Sequence, residues 1–258
     1  MNRGTLTLSV VCLCLSVCSL GRAQEIDEKL GSAAALDVVL RDESGAPVRL
    51  GQLVDKPTIL TLNYFRCASI CTPLLNGLAS ALNGVELKPG QDFQVITVSF
   101  DPTDTPEVAH QKQANYLGEM RRPFPPQAWR FLTGEAQATR KLADSVGFEY
   151  RAEGDQYVHP GAIMILTPGG VVSRYIYGIS FLAADLQIAL QDASAGQVRP
   201  TISRIAAVCY TYDPASRTYV FSMTRTVGAA TLLCAGAFVL YLVLGRRRRS
   251  GGSAGSAR

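Results

Sequence analysis

Cys67 and Cys71 stand four positions apart, directly after the apolar run Thr58–Phe65 (TILTLNYF). They open a segment, Cys71–Leu82, in which Leu74, Leu75, Leu78 and Leu82 recur at helical spacing. Two thiols where a strand gives way to a helix meet unpaired backbone N–H groups, which favour the thiolate. Three intervening residues make a pair loose enough to hold an ion, and two thiolates suit a soft one such as Cu(I). His159 precedes the apolar stretch Ala162–Thr167, in the loop that a sheet of this kind sets opposite the cysteine turn. Two thiolates and one imidazole form a three-coordinate soft-metal set. The spacing by itself leaves open a plain dithiol redox pair, with His159 a loop residue. The other histidine, His110, lies between Ala109 and Gln111 on a predicted helix and is expected in solvent.

Elements that position these groups follow from the pattern. Leu36–Leu40 and the Asp42-Glu43-Ser44-Gly45 turn predict an opening hairpin, and Thr58–Phe65 and Phe93–Phe100 predict buried strands. Thr105 followed by Pro106 marks a helix start, with threonine as cap and proline in the first turn. Trp129–Leu132 predicts a short strand and Glu135–Val146 a helix. Ala162–Thr167 and Val171–Tyr177 flank Pro168-Gly169-Gly170 as a hairpin, and Ala183–Leu190 closes with an amphipathic helix. Strands alternating with helices, then a hairpin and a helix, predict an α/β fold with a central sheet flanked by helices. With CxxxC after the first strong strand, that order is thioredoxin-like.

The termini set the compartment. Arg3 precedes an uncharged run from Gly4 to Gly21, and Gly21-Arg22-Ala23 supplies small residues for cleavage, so residues 1–23 read as a signal peptide. Thr226–Gly245 is a 20-residue stretch without charge, about enough to span a hydrocarbon core as a transmembrane helix. Arg246-Arg247-Arg248-Arg249 follow, and basic residues stay on the cytoplasmic side. The expected product is a single-pass cell-membrane protein, its body on the periplasmic side and its C-terminus cytoplasmic. Residues 24–192 would be the thioredoxin-like domain, 193–225 a linker with a second hairpin, and 246–258 a basic tail. Removing the termini's charges, +2 and +5, from the net +4 leaves residues 24–245 at −3, which excludes a nucleic-acid footprint. Of seven cysteines, only Cys67, Cys71 and Cys209 lie in the exported body. An odd number does not make a structural disulfide framework. Cys209 reads as a spare ligand, a partner for Cys67 or Cys71, or a packed strand residue, the last being the commoner role of such a cysteine.

Residues 58–83 (TILTLNYFRCASICTPLLNGLASALN), 96–106 (ITVSFDPTDTP) and 159–167 (HPGAIMILT) resemble the Sco/SenC family of copper-handling thioredoxin-fold proteins, in the family's order, over about residues 35–192. The resemblance implies copper, as Cu(I) or Cu(II), held by Cys67, Cys71 and His159, with Asp101 as the acidic residue beside the site. It implies a role in assembling the dinuclear copper site of cytochrome c oxidase subunit II, by donating copper or by reducing that site's cysteines. This chain departs from the family pattern in five respects. Ala68 stands where a proline follows the first cysteine, and Val158 where an aspartate precedes the histidine. Arg66 adjoins Cys67, where a guanidinium would stabilise thiolates. Pro160 is a candidate cis-proline of the thioredoxin type. The anchor is expected at the C-terminus, whereas relatives are usually anchored at the N-terminus. The expected function is copper metallochaperone. The alternative is a membrane-tethered thiol-disulfide reductase, with Cys67 as nucleophile and Cys71 as resolving thiol. A third possibility is a copper or redox sensor working through its C-terminal hairpin and membrane helix.

Overall fold

The computed structural model describes residues 26–66, 71–154 and 156–200, strand residues 210–213 and 218–221, and Thr231, Ala235 and Gly236; of Cys71 and the two late strands only the backbone is described. In chain order the elements of the first unit are β1 (Val39–Arg41), β2 (Pro47–Arg49), α1 (Leu50–Leu53), β3 (Thr58–Asn63), α2 (Cys71–Leu82), β4 (Gln94–Ser99), α3 (Pro106–Gly118), β5 (Trp129–Leu132), α4 (Ala136–Ser145), β6 (Arg151–Glu153), β7 (Gln156–Val158), β8 (Ala162–Leu166), β9 (Val172–Tyr177) and α5 (Ala183–Ser194).

Five strands form the central sheet in the order β5-β4-β3-β8-β9. β3 pairs in parallel with β4, and β4 with β5, because each is joined to the next by a helical crossover. β8 runs antiparallel to β3, and β9 antiparallel to β8. Every residue of β3, β4 and β8 is buried, as expected of strands covered on both faces. Alternate side chains feed two cores. On one face Leu60, Leu62, Ile96, Val98 and Met164 pack with Leu142 and Ala143 of α4 and with the N-terminal segment. On the other, Ile59, Val95, Phe131, Ile163 and Ile165 pack against α2, α3 and α5. Gly170 permits the β8–β9 turn: its φ is +84°, and a side chain there would overlap Leu36.

The second face also buries a polar ladder. Asn63 Nδ2 donates to Thr61 Oγ1 at 3.0 Å, Thr61 donates to Thr97 Oγ1 at 3.0 Å, and Trp129 Nε1 donates to the same oxygen at 3.0 Å. This ladder runs across three strands toward the end of β3 that leads to the cysteines.

The helix predicted from Cys71 to Leu82 and the strand from Trp129 to Leu132 form with those bounds. Thr105 caps α3 by accepting from the Val108 N–H, and Pro106 occupies its first turn. α5 continues to Ser194, past the predicted Leu190. The β6–β7 hairpin, paired from Arg151↔Val158 to Glu153↔Gln156, is an addition to the predicted order.

A second unit, residues 201–258, contains a hairpin of β10 (Tyr210–Asp213) and β11 (Thr218–Phe221), in the stretch where one was expected. Among the described residues no helix is long and apolar enough to cross a membrane. The expected signal peptide (1–23), Cys209 and all but three residues of the expected span (226–245) lie outside the described residues.

Candidate metal centre

The sheet topology brings the candidate residues to one end. β3 points its C-terminus at the cysteine turn, and β8 runs the opposite way beside it, so the loop before β8 meets the residues after β3. His159 lies in that loop, and its ring centroid is 6.1 Å from that of Tyr64, three positions before Cys67. Cys71 is the first residue of α2, with its backbone at the helix N-terminus, as predicted. Cys67 and the Cys71 side chain lie outside the described residues, so their distances to His159 do too.

His159 is only 4% exposed. Phe100 stands edge-on to it at 5.5 Å and Phe148 lies tilted at 5.8 Å. Phe100 stacks on Tyr150 at 4.2 Å, and Tyr157 closes against Tyr64 at 5.2 Å and Phe100 at 5.4 Å. Nδ1 lies 3.0 Å from the Pro160 carbonyl oxygen. A carbonyl can only accept, so Nδ1 carries the hydrogen and the lone pair of the neutral ring is on Nε2. Burial pushes the imidazole pKa down, more strongly than the Pro160 bond raises it. The ring is therefore neutral near pH 7. Such a ring can ligate a metal ion without first losing a proton. Among the described residues no peptide bond is cis, so Pro160 is trans and not the cis-proline considered from the sequence.

The other half of the site is a latch between the loop after β4 and the residues entering the cysteine turn. Asp104 Oδ2 accepts the Phe65 backbone N–H at 2.6 Å and the Ser99 hydroxyl at 2.6 Å. Arg66 Nη2 donates to Asp101 Oδ2 at 2.8 Å and also to Thr103 Oγ1, and its Nε lies 3.5 Å from Asp104 Oδ1. Asp101 Oδ1 accepts in addition from the Thr103 backbone and hydroxyl, at 2.9 and 2.7 Å. Asp104 is buried, and desolvation pushes its pKa up against the lowering effect of Ser99, Phe65 and Arg66. Both carboxylates are committed to the chain entering the cysteine turn. The guanidinium read from the sequence as a partner for thiolates is held by Asp101 and Asp104.

Asp101, which the resemblance singled out, binds Arg66, the residue before Cys67, while Asp104 and the aromatic wall were missed. Asp104 reads in sequence as part of a turn before a capped helix. The wall is assembled from Tyr64, Phe100, Phe148, Tyr150 and Tyr157, which no local spacing connects. His110 is exposed on α3, as expected. Among the described residues no group of three or more His, Cys, Asp or Glu is arranged to hold a metal ion; the candidate set includes Cys67 and the Cys71 side chain, which lie outside them.

A protein from Aquifex aeolicus VF5, provisionally named for electron transfer, is similar at 29% identity with a TM-score of 0.59, over 66% of this chain and 96% of that one. Arabidopsis thaliana ScoI with copper bound is similar at 24% identity and TM-score 0.50, over 62% and 96%. A SCO1/SenC family lipoprotein from Bacillus anthracis str. Ames is similar at 18% and 0.53, over 64% and 98%. The latter two likenesses are of fold. No curated protein matches the chain at the same stringency. The model of the SCO1/SenC family matches residues 28–187, a stretch that contains the cysteine turn, the Asp101–Asp104 latch and His159. The chain therefore belongs to the SCO1/SenC family.

Proposed function

We propose that this chain is a copper metallochaperone for cytochrome c oxidase, binding Cu(I) through Cys67, Cys71 and His159 and passing it to the dinuclear copper site of subunit II. The observation that carries the reading is His159: buried, neutral, fixed by Pro160 and placed beside the strand end that enters the cysteine turn. Two thiolates and one neutral imidazole are a soft set of low coordination number, which fits Cu(I) better than a hard or octahedral ion. Membership of the SCO1/SenC family and the copper bound by the Arabidopsis structure support the same cargo.

The chain's own residues do three things in this reading. His159 offers Nε2 while the Pro160 carbonyl accepts the Nδ1 hydrogen, which fixes the tautomer as carbonyls bonded to metal-bound histidines do. Asp104 and Asp101 hold Phe65 and Arg66, and through them the entry to Cys67. The aromatic side chains keep water from the imidazole. Copper would leave by exchange of ligands with thiols of the acceptor. In the expected setting the signal peptide at 1–23 directs export and the span at 226–245 tethers this domain on the periplasmic side of the cell membrane.

A thiol-disulfide reductase is the second reading, favoured by the Aquifex relative named for electron transfer. Here a Cys67 thiolate attacks an acceptor disulfide, and Cys71 resolves the mixed disulfide. The acceptor gains two thiols as the pair becomes a disulfide, so electrons balance. The test is to load the reduced chain with one equivalent of Cu(I), remove excess, and add a soluble subunit II domain. Copper should move to the acceptor from the parent chain and be absent from a Cys67→Ser, Cys71→Ser chain. Single-copper stoichiometry in the chain without both cysteines would overturn the proposal. Reduction of an acceptor disulfide without copper transfer would establish the reductase.

A further inference from the structure

We propose that the β10–β11 hairpin is a membrane-interface anchor, with one aromatic face lying in the lipid headgroup layer next to the expected span. The inference rests on the reading of residues 226–245 as a membrane span and goes beyond it, because a span does not say what the chain leading into it does.

The register carries the argument. Tyr210 pairs with Phe221, Thr211 with Val220, Tyr212 with Tyr219 and Asp213 with Thr218. Directly paired residues share a face of a hairpin, and so do residues two apart along one strand. Tyr210, Tyr212, Tyr219 and Phe221 therefore fall on one face, and Thr211, Asp213, Thr218 and Val220 on the other. Those four are all the aromatic residues of the stretch 201–225. A two-stranded hairpin is at best marginally stable in water, so a face that collects four aromatic residues needs a cover. Tyrosine has an apolar ring and a hydroxyl that keeps a contact with water, which is why it gathers where hydrocarbon meets the aqueous phase.

Chain length identifies the cover. Phe221 and Thr226 are five steps apart in sequence, at most about 18 Å when fully extended. The headgroup layer on each side of the hydrocarbon core is about 5–8 Å deep. Four-residue strands are about 10 Å long, so a hairpin on so short a lead can lie flat in that layer. The opposite face, with Thr211, Asp213 and Thr218, suits water. Docking also shortens the free lead into the membrane, from 25 residues (201–225) to nine (201–209). A shorter lead favours an acceptor that is itself anchored in the same membrane.

The test uses the full chain in vesicles of phosphatidylcholine and phosphatidylglycerol, with and without a lipid that carries a nitroxide quencher at its headgroup. Trp129, the single tryptophan of the parent, is fully buried and gives a constant background. Tyr212→Trp adds a tryptophan at a position on the aromatic face, and Thr211→Trp adds one on the other. Tryptophan is favoured in strands, so both variants keep the hairpin. The added emission of Tyr212→Trp should be blue-shifted and quenched at least about twofold more than that of Thr211→Trp. Equal quenching of the two would overturn the proposal. So would a Tyr212→Trp emission that the nitroxide leaves unchanged: blue-shifted, it would mean that protein covers the face, and red-shifted, that water does. The vesicles are first washed at alkaline pH. A chain removed by the wash would refute the span and this proposal with it, whereas a retained chain with Tyr212→Trp unquenched would refute the hairpin anchor alone.

Discussion

Replacing Asp104 tests whether the loop after β4 is a latch on the cysteine turn or a simple helix lead-in. In Asp104→Ala the Phe65 N–H and the Ser99 hydroxyl lose their common acceptor, both in a buried setting, and Arg66 loses one of two carboxylates. An unsatisfied buried donor costs about 1–3 kcal/mol. The Ser99 hydroxyl can rotate to another acceptor, whereas the Phe65 N–H is fixed by the backbone. Removing a desolvated carboxylate returns part of the loss. The expected net destabilisation is about 2–4 kcal/mol, roughly 5–15 °C in melting temperature for a domain of this size. Asp104→Asn keeps one acceptor oxygen and should cost about half as much. The pH dependence carries a sign. Asp104 has its pKa raised in the folded chain, so between the unfolded and folded values the folded state binds the extra proton. Its contribution is present below the unfolded value, about pH 4, and is lost as pH rises through the folded one. The deficit of Asp104→Asn relative to the parent should therefore be larger at pH 4–5 than at pH 8. Cu(I) affinity should fall roughly ten- to a hundredfold in either variant, the usual effect of losing a group that positions metal ligands. The assay is chemical denaturation of parent and variants across that pH range, followed by the single tryptophan. An Asp104→Ala chain within about 0.5 kcal/mol of the parent, the usual scatter of neutral surface substitutions, would refute the latch.

Three further outcomes follow from the packing. Gly77→Ala adds a good helix former to α2, yet its Cβ would overlap the Ile179 carbonyl oxygen; it should lower stability by about 1–3 kcal/mol, read by thermal melting. Thr97→Val removes the acceptor shared by Trp129 Nε1 and Thr61, so denaturation should show a loss of about 1–3 kcal/mol together with a shift in tryptophan emission. Glu43→Ala removes the carboxylate shared by Arg130, Gln113 and the Phe131 N–H, leaving Arg130 with Asp42 and the Phe131 N–H unsatisfied; the urea midpoint should report a loss of about 1–3 kcal/mol.

The sequence was legible wherever periodicity was strong. The leucines of α2 and the uncharged, β-branched-rich runs of β3, β4 and β8 belong to packed layers, so burial and pattern coincide. The β6–β7 hairpin was not legible, because three-residue strands reading RAE and QYV lie mostly in solvent and carry no core-facing alternation. His159 could be singled out by residue type and order, and Asp101 by the resemblance to the family. Asp104 could not, since the donor it satisfies at Phe65 lies 39 positions away in the chain. The same distance hid the fate of Arg66: adjacency to Cys67 suggested a role with the thiolates, and its partners proved to be the carboxylates at 101 and 104. Five aromatic side chains from four separate segments make the wall, and only the fold brings them together.

The central claim is that Cys67, Cys71 and His159 act together on one copper ion. It is tested most directly by Cu(I) affinity and stoichiometry of the reduced chain in which the other five cysteines are serine, measured by chelator competition beside His159→Ala. One tightly held Cu(I), weakened at least a hundredfold without the imidazole, is the predicted result. Weak binding, or binding indifferent to His159, would contradict the three-ligand site and leave Cys67 and Cys71 as a redox dithiol.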